Sequence, residues 1–279
     1  MTECATCSSC PGAGEHDRMG LDVGRYDFVV ALAGNPNTGK SSVFNAITGL
    51  RQHTGNWPGK TVTRAEGGYK FNDRRYKLVD LPGTYSLLST AQDEEIARDF
   101  ILFGGPDCTV VVLDATCLER NLNLALQVLE ISSRVVICVN LMDEAKRKGI
   151  EIDARSLARD LGVPVVTMSA RTGEGLPGLL NAIEKVVNGE IETKPHRVLR
   201  EGPFQAAVSE LVPLIDQAAP GLPNARWVAM RLLDGDRRVQ QALLSGELAK
   251  IAQQNQAPPE TTETSGPVVS LTVGKEDGP

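Results

Sequence analysis

The sequence predicts an α/β fold with a doubly wound, mostly parallel sheet, followed by a small all-helical domain. Between residues 25 and 190, valine-rich runs such as TVVVLDA and RVVICVN alternate with amphipathic stretches such as ERNLNLALQVLEI. Near-continuous apolar strands that alternate with helices are typical of a parallel sheet covered on both faces. Residues 200–255 contain only helix-like stretches. We therefore expect an α/β domain over residues 25–190 and a helical domain over residues 200–255.

The elements of the first domain follow from the hydrophobic pattern in chain order. YDFVVALA predicts the first strand, and KSSVFNAITG predicts a helix that ends at Gly49. The Gly, Asn and Pro residues within 51–62 predict a loop. TRAEGGYKF and RRYKLVD then predict an antiparallel hairpin that turns at Asn72 and Asp73.

From residue 93 onward, helices and strands are predicted to alternate. The predicted helices are DEEIARDFIL, ERNLNLALQVLEI, DARSLARDLG and LPGLLNAIEKVV, and the predicted strands are TVVVLDA, RVVICVN and VPVVTMS. In the second domain the predicted helices are FQAAVSELVPLIDQAA, ARWVAMRLLDG and RRVQQALLSGELAKIAQQ.

The composition and the two ends of the chain argue against several classes of protein. Residues 1–24 are predicted to be a flexible tail and residues 256–279 a disordered one, because of their polar composition. The formal net charge is −6 and no dense Lys/Arg stripe is present, which argues against nucleic-acid binding. The first residues do not resemble a signal peptide, and no apolar run reaches the roughly 18 residues of a membrane helix. We expect the chain as given to be soluble.

Three cysteines of the first tail have a regular C-x2-C-x2-C spacing, at Cys4, Cys7 and Cys10. Together with His16 they offer a Cys3His set to Zn²⁺ or Fe²⁺. A bacterial ferredoxin motif begins in the same way but needs a fourth cysteine soon afterwards, which is absent. Incidental thiols in a disordered tail are the alternative interpretation.

The stretch GNPNTGKS, residues 34–41, has the spacing of a phosphate-binding loop. Gly34 and Gly39 let the backbone curl so that N–H groups face a β-phosphate, and the next helix adds its positive dipole end. Lys40 is placed to reach the β- and γ-oxygens, and the Ser41 hydroxyl to bind Mg²⁺. A strand precedes the loop and a helix follows it, as the motif requires. The predicted phosphate-binding residues are Gly34, Asn35, Pro36, Asn37, Thr38, Gly39, Lys40, Ser41 and Ser42.

The stretch DLPG, residues 80–83, supplies two further groups. Asp80 is predicted to hold the Mg²⁺ through a water, and the N–H of Gly83 to sense the γ-phosphate. On its own, such a stretch is commonly just a turn at the end of a strand. Because it follows a phosphate-binding loop by two strands, we expect it to belong to the same site.

The stretch VNLMD, residues 139–143, indicates which base is bound. Guanine can donate from N1 and N2 to the Asp143 carboxylate, whereas adenine would leave that acceptor buried and unpaired. Asn140 is expected to brace the loop and Met142 to line the base. A second loop at Ser169 and Ala170 is predicted to bring its backbone to the base oxygen. N-x-x-D alone is common as a strand end and helix cap, so the assignment to guanine depends on this second loop.

In this order, the four motifs resemble translation-factor-type GTPases, and the loop RQHTGNWPGKTV narrows the resemblance. The loop is similar to the first switch of the ferrous iron transport protein B (FeoB) family, in which G-N-W-x-G-x-T recurs. LVDLPGTYSL and DATCLERNLNLALQ resemble the same family. The resemblance covers residues ~27–190 by motif and the helical domain by architecture only.

Membership of that family implies a P-loop GTPase fold, GTP hydrolysis to GDP with Mg²⁺, and regulation of ferrous iron uptake. It also implies a membrane-embedded portion of the same transporter, with this domain on the cytoplasmic side of the bacterial inner membrane. By the same resemblance Thr61 is the switch threonine that binds Mg²⁺, and Gly59 lies beside the nucleotide. The oligomeric state is left open.

Asn37 is predicted to take part in catalysis by holding a cation. The charge that develops between the β- and γ-phosphates must be neutralised, and no Arg in the loops is an obvious internal arginine finger. An amide oxygen at Asn37 can help to hold a monovalent ion, and FeoB-like GTPases with Asn at this place are activated by K⁺. By resemblance, the carbonyls of Gly55 and Trp57 complete the K⁺ ligands. The alternative is that Asn37 only stabilises the loop turn.

The predicted catalytic residues are therefore Asn37, Lys40, Thr61 and Gly83. Thr84 stands where many P-loop GTPases carry a glutamine that orients water, and it has no role in this scheme. Leu141 replaces a lysine that commonly packs over the base, which predicts weaker guanine binding and rapid GDP release. Lys60, where the resemblance leads us to expect an aliphatic residue, is interpreted as a solvated loop charge.

Two other functions share the same motifs and stay open. A ribosome-assembly GTPase would use the same nucleotide chemistry, but it would need an RNA-binding module that the acidic helical domain does not supply. A GTP-sensing module would order its switch loops on binding and hydrolyse GTP negligibly.

Overall fold

A seven-stranded sheet lies at the centre of the part of the chain that the computed structural model describes. That part comprises residues 26–49, 52–57, 60–88, 91–196, 202–222 and 224–249. Several expectations fall outside these residues: the two tails at 1–24 and 256–279, Gly59, and the cysteine set Cys4, Cys7 and Cys10.

The strands of the sheet have the order β2-β3-β4-β1-β5-β6-β7. Their bounds are β1 Phe28–Gly34, β2 Gln52–Asn56, β3 Thr63–Phe71, β4 Arg74–Asp80, β5 Cys108–Asp114, β6 Val135–Asn140 and β7 Val165–Thr167. The pairs from β4 through β1 to β7 are parallel, and β2, β3 and β4 are antiparallel. The predicted doubly wound, mostly parallel sheet is confirmed.

Besides a short helical run at residues 247–249, the described part of the chain contains nine α-helices with both ends defined. They are α1 Lys40–Thr48, α2 Gln92–Phe103, α3 Leu118–Ile131, α4 Met142–Arg147, α5 Ala154–Leu161, α6 Leu176–Val187, α7 Pro203–Ala218, α8 Ala225–Leu233 and α9 Arg237–Leu244. The first six surround the sheet, and the last three follow without an intervening strand, as the sequence pattern predicts. Within this same part of the chain, no helix combines the length and the apolar character needed to cross a membrane.

Burial on both faces explains why the parallel strands have no alternation of polar and apolar residues. In β1, Val30 and Leu32 join a hydrophobic cluster with residues of α1 and α6. Their neighbours Ala31 and Ala33 join a second cluster with residues of α2 and α3. Because successive strand residues point to opposite faces, a sheet covered twice needs apolar residues at every position.

The prediction of a continuous loop over residues 51–62 is wrong. Gln52–Asn56 form strand β2, which pairs antiparallel with β3 and makes the edge of the sheet. The side chains of His53, Thr54 and Asn56 are exposed. The strand is therefore held by backbone pairing, and it has no apolar period from which it could be predicted.

The hairpin between β3 and β4 is confirmed at its predicted turn. Asn72 and Asp73 both have positive φ angles, of 45° and 63°. Two-residue hairpin turns of this kind match the twist of the flanking strands, and Asn and Asp tolerate the left-handed conformation well.

Two helices differ from their predictions. Helix α4 was not predicted: its sequence MDEAKR is short and polar, so its hydrophobic pattern is weak. Helix α9 was predicted as one helix over RRVQQALLSGELAKIAQQ but ends at Leu244; residues 247–249 are helical again after Gly246, which has a φ of 73°. The left-handed glycine is typical of a chain that leaves a helix.

The three-helix segment packs onto the sheet domain through one shared hydrophobic cluster. Val208 of α7 and Trp227 of α8 belong to the same buried cluster as Phe100 of α2 and Leu124 of α3. An ionic network reinforces this contact, because Arg98 of α2 lies 3.6 Å from Asp236 at the start of α9. The segment that follows the DLPG stretch is thus tied to the helical segment.

Candidate functional site

The loop of residues 34–41 joins β1 to α1 at the carboxyl ends of the parallel strands. A Cβ at Gly34 would lie 2.7 Å from the carbonyl oxygen of Val112. Gly39 has a φ of +77°, and a Cβ there would lie 2.4 Å from Nδ2 of Asn140. Both positions therefore require glycine, because the loop packs directly against β5 and against the end of β6.

The amino end of α1 has the features of an anion site. Gly39 occupies the N-cap position without a side-chain hydrogen bond, and the first turn contains no acidic residue. The first N–H groups of a helix have no partner within it, and they carry the positive end of its dipole. Ser41 and Ser42 are exposed in this turn. A phosphate group fits here.

Asn35 contributes a buried amide to the same loop. Its side chain is 2% exposed, and neither Nδ2 nor Oδ1 has a hydrogen-bond partner among the described residues. Its backbone carbonyl accepts a hydrogen bond of 2.9 Å from Oγ1 of Thr38, which holds the turn of the loop. Buried amides of this kind are ordinarily paired with protein, water or ligand.

Lys40 and Asp80, predicted for phosphate and Mg²⁺, meet at the mouth of the loop. The ammonium of Lys40 forms an ion pair with the Asp80 carboxylate, and it donates to the carbonyl of Leu81 at 2.6 Å. Burial raises the pKa of Asp80 above its usual value, while Lys40 acts in the opposite direction. The pair therefore places a lysine and an acid together beside the phosphate-binding backbone.

The turn after β4 packs against the phosphate-binding loop. A Cβ at Gly83 would lie 3.5 Å from atoms of Pro36, and the N–H of Thr84 donates to the carbonyl of Gly34 at 3.3 Å. The Thr84 side chain is buried, and its hydroxyl donates to the carbonyl of Ser86 at 2.6 Å. Thr84 thus shapes its own turn.

Asn140 links the phosphate loop to the second base loop. Its side chain is fully buried, donates to the carbonyl of Thr38 at 3.0 Å and accepts from the N–H of Ala170 at 3.0 Å. The amide therefore fixes the spacing between two loops that are far apart in the sequence. Leu141, next to it, has a φ of 62° and caps helix α4.

Asp143 lies in the first turn of α4 and faces the same second loop. One carboxylate oxygen accepts from the Ser169 hydroxyl at 2.8 Å, and the other accepts from the Arg171 guanidinium at 2.8 Å. The bond from Ser169, followed by Arg171, lowers the pKa of Asp143 below its usual value. Asp143 is thus held as an anion. Met142, by contrast, packs its side chain against the hydrophobic cluster.

Three of the residues predicted from the switch loop, Gly55, Trp57 and Thr61, lie in the described part of the chain. Gly55 lies within β2, opposite Arg64 of β3. The carbonyl of Trp57 accepts from the N–H of Lys60 at 2.9 Å, and its indole is buried against Phe100. Thr61 is exposed. Among the described residues, no recorded hydrogen bond or ion pair joins Gly55, Trp57 or Thr61 to residues 34–41.

Comparison with protein families identifies the group to which this site belongs. A family model described as ferrous iron transport protein B matches residues 28–183, more than half of the chain. The chain belongs to the FeoB family. A second model, described as the FeoB cytosolic helical domain, matches residues 202–264. The resemblance predicted from the switch loop is confirmed.

Individual FeoB proteins are similar to this chain in sequence and structure. The Fe(2+) transporter FeoB of Salmonella typhimurium is 40% identical over 215 residues, which cover 74% of this chain and 27% of the relative. The solved cytosolic domain of L. pneumophila FeoB is 32% identical, with a TM-score of 0.70 over 82% of this chain and 89% of that one. The cytosolic domain of T. maritima FeoB in GDP form I is 34% identical, with a TM-score of 0.69 over 83% and 92% of the two chains.

The chain spans about a quarter (27%) of the length of the curated FeoB relatives that it matches. What it shares with them is the G domain and the helical segment that follows it.

Sequence reasoning did not identify two residues that shape this FeoB-family site. The Arg171 guanidinium forms an ion pair with the Asp143 carboxylate, although the Arg171 side chain is 74% exposed. Gln127 of α3 accepts from the N–H of Leu87 at 2.7 Å and from the Ser86 hydroxyl at 3.1 Å, so it anchors the turn after DLPG. Arg171 could have been found from the sequence, because it directly follows Ser169 and Ala170 of the predicted base loop. No sequence spacing points to Gln127.

Proposed function

We propose that this chain binds guanine nucleotides and hydrolyses GTP, with Mg²⁺ and K⁺, as the regulatory domain of a ferrous iron transporter. The observation that carries the proposal is the joint arrangement of the phosphate loop and Asp143 around Asn140. The Asn140 amide bonds to both the phosphate loop and the base loop. One ligand with a phosphate at one end and a donor-bearing base at the other fits this arrangement.

The phosphates would lie on the backbone N–H groups of the loop from Asn35 to Ser42, to which Pro36 contributes none. The Lys40 ammonium is close enough to the loop to exchange part of its contact with Asp80 for a phosphate oxygen. Gly83 lies against Pro36, so its N–H would lie near the end of the phosphate chain. These groups bind and orient the nucleotide, and they stabilise negative charge as it develops.

Mg²⁺ fits the oxygen donors at the loop. The Ser41 hydroxyl and the Asp80 carboxylate would hold it, with Thr61 joining when the switch loop approaches. Oxygen ligands of this kind are those that Mg²⁺ prefers. When bound, the ion neutralises charge on the β- and γ-phosphates. The ion pair with Lys40 favours the charged form of Asp80, the form that would bind the metal.

K⁺ fits Asn37 as the anchoring residue. Asn37 is exposed on the loop and has a φ of 67°, so its amide projects from a left-handed turn. Gly55 and Trp57 would add backbone carbonyls from the switch loop. The Trp57 carbonyl already accepts from Lys60, but a carbonyl oxygen has a second lone pair for a cation. When bound, K⁺ supplies positive charge near the phosphates where an arginine finger is absent.

GTP hydrolysis is expected to be at least about tenfold faster in KCl than in NaCl at equal ionic strength, because a correctly placed charge stabilises the transition state. The Asn37→Ala variant is expected to lose this difference and to keep GDP affinity within about threefold, since its amide serves the cation. Phosphate release measured in both salts checks the prediction.

Thr38→Ser is a matched control for Asn37→Ala, because it alters the adjacent loop residue but keeps the hydroxyl that bonds to Asn35. Its potassium dependence should stay that of the parent chain. Equal rates in the two salts, or full potassium dependence in Asn37→Ala, would contradict the role of Asn37. Negligible turnover in both salts would favour a GTP-sensing module.

The Asp143→Asn variant is expected to bind GDP about 10³-fold more weakly, because two charge-assisted hydrogen bonds to the base are lost. Calorimetric titration with GDP measures this. Glu144→Gln is the control: it removes a carboxylate from the next residue of the same helix, one that pairs with Arg147 instead. Equal GDP affinity in Asp143→Asn and the parent chain would rule out the proposed base contact.

Similarity to the FeoB relatives supports a part in iron uptake. The similar full-length proteins are Fe(2+) transporters, and this chain matches only about a quarter of their length. We therefore propose that the domains at 25–190 and 200–255 lie on the cytoplasmic side of the bacterial inner membrane. There they would respond to GTP and act on a membrane-embedded portion of the same transporter.

A further inference from the structure

A cavity of about 570 Å³ lies between helices α3 and α8, next to the turn after DLPG. None of the residues predicted for the nucleotide site lines it. Its apolar walls are formed by Leu87, Leu88, Leu126, Phe204, Trp227 and Met230. The volume falls within the roughly 300–1,000 Å³ that small-molecule sites typically have.

The two long walls of the cavity are faces of helices. Leu126 and Glu130 lie four residues apart on α3, and Arg226 and Met230 lie four residues apart on α8. Residues at this spacing project from the same side of a helix. Phe204 of α7 also lines the cavity, which therefore combines elements of both parts of the molecule.

Two charged side chains of the walls each have a polar atom that is not paired. Oε2 of Glu130 and Nε of Arg226 are buried, and neither has a hydrogen-bond partner among the described residues. The Nη1 of Arg226 donates to Gln205 at 2.9 Å, which leaves its Nε–H as an unused donor. A buried unpaired donor or acceptor is costly. A ligand that accepts from Arg226 and donates to Glu130 would remove both costs once the two side chains turn these atoms toward the cavity.

The charges of the cavity favour an uncharged ligand. Arg231 pairs with Asp234 at 3.2 Å and with Asp236 at 2.9 Å. Apart from the His196 imidazole, the remaining titratable groups of the lining are one guanidinium and one carboxylate, and their charges cancel. Trp227 and Phe204 favour a planar aromatic body, because aromatic rings stack well on one another.

We propose that this cavity is an effector site for an uncharged, planar heteroaromatic molecule that carries a lactam edge. In such a molecule an N–H donor lies beside a carbonyl acceptor, so it offers one group to Glu130 and one to Arg226. The aromatic body fills the space between Leu126, Trp227 and Met230.

A chain of hydrogen bonds connects this cavity with the phosphate loop. Gln127, which lines the cavity, accepts from Ser86 and Leu87 at 3.1 and 2.7 Å. Ser86 accepts from Thr84, and the N–H of Thr84 donates to Gly34 at 3.3 Å. A ligand against Leu87 and Gln127 therefore presses on the turn that contacts the nucleotide site. Any coupling of this kind is reciprocal between the two ligands.

The probe for this site is quinazolin-4(3H)-one, an uncharged bicyclic lactam, titrated calorimetrically into the nucleotide-free chain. We expect saturable binding with a Kd of about 1 mM or lower, in keeping with its size. The 3-methyl derivative lacks the N–H donor and should bind at least about tenfold more weakly. Because no nucleotide is present, this result does not depend on the proposed GTPase function.

Two tryptophan variants distinguish this cavity from non-specific binding. Leu126→Trp fills the cavity and should abolish saturable binding. Leu244→Trp makes the same change at a side chain that is 79% exposed and lies outside the lining, and should leave binding unchanged. Circular dichroism shows whether each variant folds. If Leu126→Trp does not fold, Met230→Phe takes its place.

The effector role is tested by measuring GDP affinity with and without the saturating probe. A change of at least about fivefold in the Kd for GDP supports it. An unchanged Kd would overturn the effector role. Absence of saturable binding up to about 5 mM, equal binding of the methylated probe, or equal binding by a folded cavity-filling variant would overturn the site itself.

Discussion

Lys40→Ala is expected to weaken GTP binding by about 10²–10³-fold and to reduce hydrolysis further, because a buried charge contact to the phosphates is worth several kcal/mol. The Lys40 side chain is only 11% exposed and lies at the start of α1 beside Asp80 and Leu81. Its ammonium is therefore held in position before any nucleotide arrives. The Kd for GTP and the single-turnover rate constant, both measured with Mg²⁺, check the prediction.

The loss of Lys40 also affects Asp80 directly. Burial raises the pKa of this carboxyl, and Lys40 is the neighbour that opposes the rise. In Lys40→Ala the pKa of Asp80 should rise further, so Mg²⁺ must compete with a proton at higher pH. The activation of the variant by Mg²⁺ should therefore weaken as the pH falls, more steeply than in the parent chain.

Lys70→Ala is the control for Lys40→Ala. Lys70 pairs with the exposed Asp73 at 2.9 Å in the β3–β4 hairpin, on the surface of the same sheet. Exposed ion pairs contribute little to the stability of a protein, so this variant should fold and bind GTP as the parent chain does. If Lys40→Ala binds as tightly as Lys70→Ala, then residues 34–41 do not form the proposed phosphate site.

The parallel part of the sheet was predictable because the cause of its apolar pattern lies within each strand. Strands that are buried on both faces must be apolar at every position, and β5 and β6 have this pattern in the sequence itself. The phosphate loop was predictable for a similar reason. Gly34 and Gly39 pack against backbone and side-chain atoms at distances that exclude a Cβ. The close packing of the loop is therefore visible in the sequence as two glycines at a fixed spacing.

Features that depend on long-range contacts were not predictable. Strand β2 has exposed polar side chains and exists because β3 offers it an edge to pair with. The bond from Arg171 to Asp143 spans 28 residues, and the bonds of Gln127 to Ser86 and Leu87 span about 40. Propensity and periodicity contain no information about such partners.

The helical segment illustrates the same limit. Its helices were predicted from their period, but their attachment to the sheet domain was not. Arg98 of α2, with a side chain 3% exposed, lies 3.3 Å from Asp99 and 3.6 Å from Asp236. Arg238 of α9 lies 3.8 Å from Asp99, so charges alternate across the junction. In the sequence these residues are typical of a solvated helix face.

Arg98→Ala is therefore expected to lower the free energy of unfolding by about 3 kcal/mol, because removing one partner of a buried ion pair leaves charges without compensation. The value lies at the lower end of the usual range, since Asp236 keeps Arg231 at 2.9 Å and Asp99 keeps Arg238. Denaturant unfolding followed by tryptophan fluorescence measures the loss. Trp227 of α8, 4% exposed, reports on the junction.

Arg159→Ala is the matched control, since Arg159 also pairs with the next residue, Asp160, at 3.2 Å, but with a side chain 75% exposed. Its free energy of unfolding should stay within about 0.5 kcal/mol of the parent value. A loss below 1 kcal/mol in Arg98→Ala (roughly the scale of an exposed pair) would show that the junction depends on its apolar contacts alone. A loss near the expected value would instead mean that α2, which follows the DLPG turn, cannot move without breaking its ionic contact to α9. Nucleotide-dependent movement of that turn would then reach the helical segment through Arg98.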